Sequence, residues 1–176
     1  MQDPAQIEAL PMVVADTISG LDLLINNAGI LTDHETIANV RASDLQAHFM
    51  VNTIAPVLLV QALLPLLHQG QRPTIVNISS SFASIGRKSA AMPLRYSYAM
   101  SKAALNMFSK TLAGELAVQG IIVAAIHPGW TRTRIGGNEA QFQPAESATA
   151  VLATIDQLSM EQTGRFLTWD GRELAW

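Results

Sequence analysis

Three short and nearly unbroken apolar runs constrain this chain most: DLLIN (Asp22–Asn26), TIVNIS (Thr74–Ser79) and IIVAAI (Ile121–Ile126). A strand with one wet face alternates polar and apolar residues, whereas an unbroken run needs cover on both faces. RFLTW (Arg165–Trp169) reads as a fourth strand. Between the runs lie residues 43–67, 98–118 and 144–158, each long enough for a crossover helix. Strand–helix–strand repetition at this spacing predicts an α/β fold, a Rossmann-like parallel sheet with helices on both faces. Gly120 closes the second helical pattern as a C′ glycine. Leu105, Phe108, Leu112 and Leu116 recur at helical spacing and form the face expected to pack on the sheet. No repeat, linker or low-complexity segment interrupts the chain, so residues 1–176 read as one domain.

Composition narrows the function. The chain is 49% hydrophobic and 14% charged, with a net charge of −3 and no cysteine. A disulfide framework, a thiolate metal site and a cysteine nucleophile are therefore excluded. The charge balance offers no basic footprint for nucleic acid, and 6% aromatic content offers no base-stacking platform. His34, His48, His68 and His127 follow no compact ligand spacing and read as surface or packing residues, with no metal. MQDPAQIEAL lacks the basic-then-apolar order of a signal peptide, and no apolar run reaches the roughly 18 residues of a membrane span. A cytoplasmic protein without a membrane partner is the expectation.

Two places break the apolar pattern. Asn52 falls on the buried stripe of the 43–67 helix among Leu45, Phe49, Leu63 and Leu67, and Pro56 follows inside the helix. Proline has no N–H and crowds the carbonyl four residues back, which is that of Asn52, so a kink with that carbonyl freed is predicted. The freed carbonyl needs a water or another donor, and such conflicts often mark functional sites. Further on, Tyr98 and Lys102 stand four apart on one helical face. A tyrosine is a weak acid with a reference pKa of roughly 10, and a nearby ammonium lowers it. A serine at the end of TIVNIS would add a donor for a carbonyl oxygen. The trio suits proton transfer coupled to hydride transfer, for which side chains need a hydride carrier. Taken singly, Ser79–Ser81 also read as a strand end, and Asn26 and Asn27 as turn residues.

In combination these motifs resemble the short-chain dehydrogenase/reductase family. NNAG (Asn26–Gly29), NISS (Asn77–Ser80), YAMSK (Tyr98–Lys102) and HPGWTRT (His127–Thr133) match its motifs in order, over essentially the whole chain. The later segments MSKAALNM, GGNEA, PAES and GRFLTWDGRELAW are similar to the branch of C-factor and sniffer-type carbonyl reductases. The resemblance implies Ser80, Tyr98, Lys102 and Asn52 as catalytic residues, the last through a water on its backbone carbonyl. It implies Asn26, Ala28, Gly29, Lys102, Pro128, Gly129 and Thr133 as the cofactor-binding set for NADP or NAD, with NADP preferred. A small-molecule carbonyl or alcohol is the implied substrate, and a homo-oligomer the implied assembly. The residues 82–97 make a longer loop than many members have and are expected to line the substrate pocket, with Met92 and Trp130 as contacts. Arg134 stands where the branch commonly has an acidic residue.

One part of the family pattern has no counterpart in this sequence. The strand, glycine-rich TGxxxGxG turn, helix and two further strands that open such domains are not represented, and MQDPAQIEAL is similar to the segment after the third strand. About four strands are therefore expected, as in an N-terminally truncated domain, with DLLIN as an exposed edge. A second reading follows: a cofactor-deficient remnant that acts only by binding or self-association.

Overall fold

The computed structural model describes residues 4–15 and 17–176. Strands β1 (Leu23–Asn26), β2 (Thr74–Ile78), β3 (Ile122–His127) and β4 (Arg165–Thr168) lie side by side in chain order, and every neighbouring pair is parallel. The strands therefore fall on the four apolar runs. Helices α2 (Ala42–Phe49), α3 (Ala55–Leu67), α4 (Tyr96–Leu116) and α5 (Pro144–Asp156) fill the intervals between them. Gly120 takes φ +75°, the left-handed turn that lets the chain leave α4 for β3.

Alternation along the strands sorts the core into two layers. Ile75 and Val123 face Val60 and Leu67 of α3 and Leu112 and Leu116 of α4. Val76, Ile78, Ala124 and Ile126 face Val151 and Ile155 of α5, with Leu158 beyond its end. The sheet is thus covered on both sides, as its unbroken runs require. With all strands parallel and in spatial order, a crossover on the opposite face must have the opposite hand. The α5 crossover therefore departs from the two before it, and the usual preference for a single hand is overridden. Its consequence is cover for the second face: α5 seals the side of the sheet that α3 and α4 leave open.

Residues 4–15, where periodicity predicts no element, form α1 (Pro4–Ala15) with Pro11 inside it. Ile7 and Leu10 pack on Ala55, Leu58 and Leu59 of α3, so the surface of α3 rather than an amphipathic repeat decides this helix. Among the described residues β1 has no strand on its outer side, and Leu23 is exposed there.

The conflict at Asn52 and Pro56 is met by a π-turn. Residues 42–67 are one continuous helical rod in which Met50–Ile54 make a π-turn, and the Ala55 N–H bonds to the Met50 carbonyl five residues back. Widening the helix by one residue accommodates the N–H that Pro56 lacks. By length and composition this rod is long and apolar enough to cross a membrane, although no single run in it is; half of its most apolar window is buried inside the fold. Leu45 and Phe49 are only half-buried, and His48, Val51, Asn52 and Ala55 take the buried positions.

A polar ladder crosses the otherwise apolar layer under α4. Asn26 Nδ2 donates to Asn77 Oδ1 at 2.8 Å, Asn77 Nδ2 to Ser109 Oγ at 2.8 Å, and Ser109 Oγ to the Leu105 carbonyl at 2.7 Å. Replacing Asn77 with Ala is expected to lower unfolding free energy by about 1–3 kcal/mol, because Asn26 and Ser109 lose a buried partner. Urea titration of the variant against the parent chain measures this loss.

Candidate active site

At the carboxyl ends of the strands lies a cavity of about 1020 Å³. Its walls come from the loop after β1, the end of β2, the start of α4, the loop after β3 and the first turns of α5. Ser80, Tyr98, Lys102, Ala28, Gly29, Pro128, Gly129 and Thr133 all stand on this wall. Asn26 and Asn52 do not. Asn26 ends β1 with its side chain turned to Asn77, so strand alternation presents Asn27 to the cavity instead. Asn52 lies behind the wall.

Tyr98 is buried in the first turn of α4, on the same cavity wall as Ser80. Burial pushes its pKa up, and the nearby Ser80 hydroxyl and the charge of Arg95 oppose that shift. Lys102, expected to be the opposing charge, is turned instead to β2: its Nζ donates to the Ile78 carbonyl at 2.7 Å. Burial lowers the Lys102 pKa to about 8, so its ammonium is readily lost above neutrality. Ser80 also accepts from the Phe82 N–H at 3.2 Å, which fixes the chain as it leaves β2.

Asn52 holds the loop after β1 against α4. Its Oδ1 accepts from the Ile30 N–H at 2.9 Å, and its Nδ2 donates to the Ile30 carbonyl at 3.0 Å and the Ser101 hydroxyl at 2.9 Å. Ser101 in turn donates to the Tyr98 carbonyl at 2.9 Å. A Cβ at Gly29 would lie 3.4 Å from Asn52 Oδ1 and 3.5 Å from Lys102 Nζ, so glycine keeps this strip of wall open beside the ammonium.

A second clamp comes from residues that sequence patterns do not single out. Glu35, buried in the loop after β1, accepts from the Ser97 N–H at 2.9 Å and from the Ser97 hydroxyl. A carboxylate at the first turn of a helix satisfies donors that the helix itself cannot, and it suits the positive end of the dipole. Asp33 bonds Arg95 at 2.9 Å, so the loop grips the start of α4 at two points just before Tyr98. His48 anchors the same loop: its Nδ1 must donate to the Asp44 carbonyl at 2.7 Å, which leaves Nε2 to accept from the Thr32 N–H at 3.0 Å. No short-range pattern marks Glu35 or Asp33, because their partners are more than 60 residues away.

The loop after β3 forms the opposite wall. Trp130 lines the cavity and donates from Nε1 to the Gly136 carbonyl at 2.8 Å. The Thr133 hydroxyl accepts from the Gly136 N–H at 3.2 Å. His127, read from the sequence as a surface or packing residue, is also on the wall, with Nδ1 buried and unpartnered. Burial and the nearby charge of Arg87 lower its pKa to about 4, so the ring is neutral near pH 7. The 82–95 loop contributes Phe82, Pro93 and Arg95 to the cavity, and Met92 is not on its wall.

Residues 1–144 match the family model described as short chain dehydrogenase. The chain is 33% identical over 156 residues to the C-signal of Myxococcus xanthus, covering 89% of this chain and 93% of that protein. It superposes on the NADPH-bound carbonyl reductase from chicken fatty liver with a TM-score of 0.92 at 38% identity, over 99% of this chain and 74% of that one. On the carbonyl reductase Sniffer of D. melanogaster the TM-score is 0.90 at 34% identity, over 99% and 76% of the two chains.

Glu35→Ala is expected to cost about 1–3 kcal/mol of stability by stranding two donors of Ser97, with Glu35→Gln costing less because it keeps an acceptor. Urea unfolding and amide exchange at Ser97 and Tyr98 report the loss; unchanged exchange in Glu35→Ala counts against the clamp.

Proposed function

The chain belongs to the short-chain dehydrogenase family, and from that premise we propose that it is an oxidoreductase that reduces a carbonyl compound, or oxidises the corresponding alcohol, with NADP or NAD. The observation that carries this reading is one cavity wall that brings Ser80, Tyr98 and Lys102 together at the carboxyl end of the sheet.

A nicotinamide cofactor supplies the hydride in such a reaction. Its nicotinamide end suits the wall formed by Ala28, Gly29, Lys102, Pro128, Gly129 and Thr133. The absent side chain at Gly29 leaves room for a flat ring next to the Lys102 ammonium, and no carboxylate lines the cavity among the described residues. NADP is the form to test first, since the chicken carbonyl reductase is an NADPH complex. The chain's sequence contains no TGxxxGxG turn, so these residues account for one end of a dinucleotide site.

The side chains divide the remaining work. Ser80 donates toward the carbonyl oxygen and orients it. Tyr98 gives that oxygen a proton; burial keeps the phenol protonated and so favours the reducing direction near neutral pH. Lys102 provides the positive charge that makes release of the proton easier. Asn52 holds the Gly29–Ile30 backbone in place and, through Ser101, the helix turn that carries Tyr98.

A second reading, a self-associating protein without turnover, rests on the open outer edge of β1. NADPH titration followed by nucleotide fluorescence, with particle size measured on the same sample, separates the two. Saturable binding supports the oxidoreductase, and a folded, associated sample that binds none overturns it. Given turnover, Tyr98→Phe is expected to lower kcat by about 10²–10⁴-fold while the chain stays folded, the range for a general acid. Retained turnover in that variant removes Tyr98 from the mechanism. Carbonyl reduction is also expected to fall as pH rises through about 8, because the Lys102 ammonium loses its proton there while the Tyr98 phenol does not. A pH–kcat profile flat across that range contradicts this role for Lys102.

A further inference from the structure

The charges of this acidic chain are segregated. Between residues 45 and 114 lie six of its eleven Lys and Arg residues and none of its fourteen Asp and Glu residues. That segment carries Ser80, Tyr98, Lys102 and the 82–95 loop. The cavity shows the same bias: Arg95, Lys102 and Arg134 stand on its wall, and no carboxylate does among the described residues. A cavity lined with one sign of charge concentrates ligands of the other.

Arg95 gives this field a specific point. Its side chain is about three-quarters buried, with 23% relative exposure. The guanidinium carbon sits 4.9 Å from the centre of the Phe82 ring, and Phe82 meets Tyr98 edge-on at 6.3 Å. Lys88 lies 5.8 Å from the same ring. Asp33 engages one guanidinium nitrogen, Nη2, and is itself 46% exposed, so the ion pair is open to water and to competition. Arginine presents five donors in a planar fork that matches a carboxylate in two-point contact. The side chain therefore has donors to offer a second acid, beside an aromatic ring that touches the tyrosine.

Resting on the oxidoreductase reading above, we propose that the substrate is an oxo acid: an aldehyde or ketone that also bears a carboxylate, joined to the carbonyl by a short apolar or aromatic spacer. Arg95 receives the carboxylate and Phe82 the spacer, which leaves the carbonyl oxygen at Ser80 and Tyr98. The carbonyl carbon gains the hydride of the nicotinamide cofactor, the oxygen gains a proton from Tyr98, and the C=O bond becomes CH–OH. The carboxylate passes through unchanged. Arg95 and Phe82 belong to the 81–95 segment, apart from the Pro128–Thr133 wall assigned above to the cofactor, so the positive charge at Arg95 is directed to the substrate rather than to nucleotide phosphate.

The test compares 4-acetylbenzoate with its neutral counterpart 4-acetylbenzamide. Affinity is measured by calorimetry, which needs no turnover, and kcat/KM by NADPH consumption. The parent chain is expected to prefer the acid by tenfold or more in affinity. Arg95→Met is expected to bring the acid-to-amide ratio close to one. Asp33→Asn, which keeps Arg95 and neutralises its competitor, is expected to tighten acid binding. Equal affinity for the two probes in the parent chain, or a preference that survives Arg95→Met, overturns the proposal. A fall in NADPH affinity in Arg95→Met without a change in the acid-to-amide ratio does so too, by assigning Arg95 to nucleotide phosphate. Selective acid binding without turnover upholds the acid site and counts against the oxidoreductase reading. Turnover of both probes at equal efficiency does the reverse.

Discussion

Apolar packing alone lets a helix slide along a sheet, and the bond from Lys102 to the Ile78 carbonyl prevents that here. It is the first of three along one stripe of α4, followed by Ser79 to Asn106 at 2.6 Å and Asn77 to Ser109 at 2.8 Å. The stripe changes character along its length. Tyr98, Lys102, Asn106 and Ser109 are its polar half, and Leu112, Ala113 and Leu116 its apolar half. Each polar partner is buried, so a shift of α4 by even part of a turn would leave several groups unpaired at once. The position of Tyr98 over the end of β2 is thus set by hydrogen-bond geometry, and the apolar half supplies the adhesion.

The loop after β1 completes the enclosure. It crosses the start of α4 and is held from three directions: by Asn52 at Ile30, by His48 at Thr32, and by the acids Asp33 and Glu35 at Arg95 and Ser97. The residues just before Tyr98 in the chain are therefore anchored to an element that lies far away in sequence. This gives the site rigidity on the side where helices usually fray. It also makes Asp33 ambivalent, since the carboxylate that positions Arg95 competes with whatever acid Arg95 binds.

How much of this was legible in the sequence depended on how local the cause was. The strands were visible because cover on both faces demands unbroken apolar runs, and the pairing of Tyr98 with Lys102 because four residues make one helical turn. The conflict at Asn52 and Pro56 was visible as well, but its resolution was not. A missing N–H has more than one structural answer, and the π-turn found here rests on what surrounds the rod. Helix α1 was hidden for a similar reason, its apolar residues acquiring a face only against α3. Glu35 and Arg95 were out of reach, because an acid or a base in a loop looks solvent-bound until the loop folds over a helix. The bond that orients Lys102 was not legible from spacing. Four residues bring two side chains to the same face but do not say which neighbour the longer one turns toward, and here it is a strand carbonyl.

The π-turn at Met50–Ile54 has a consequence for how this rod can change. One extra residue within a helix rotates everything after it by about 100° relative to what came before. The rod therefore has two phases: α2 presents His48 toward the loop after β1, and α3 presents Leu59, Leu63 and Leu67 toward the fold. Deleting a residue there would give a more regular helix and a misaligned protein, with the apolar row of α3 turned off the layer it seals. The irregularity is thus locked in by the two surfaces it connects, and single-residue insertions or deletions in this segment are far less tolerable than substitutions of similar size.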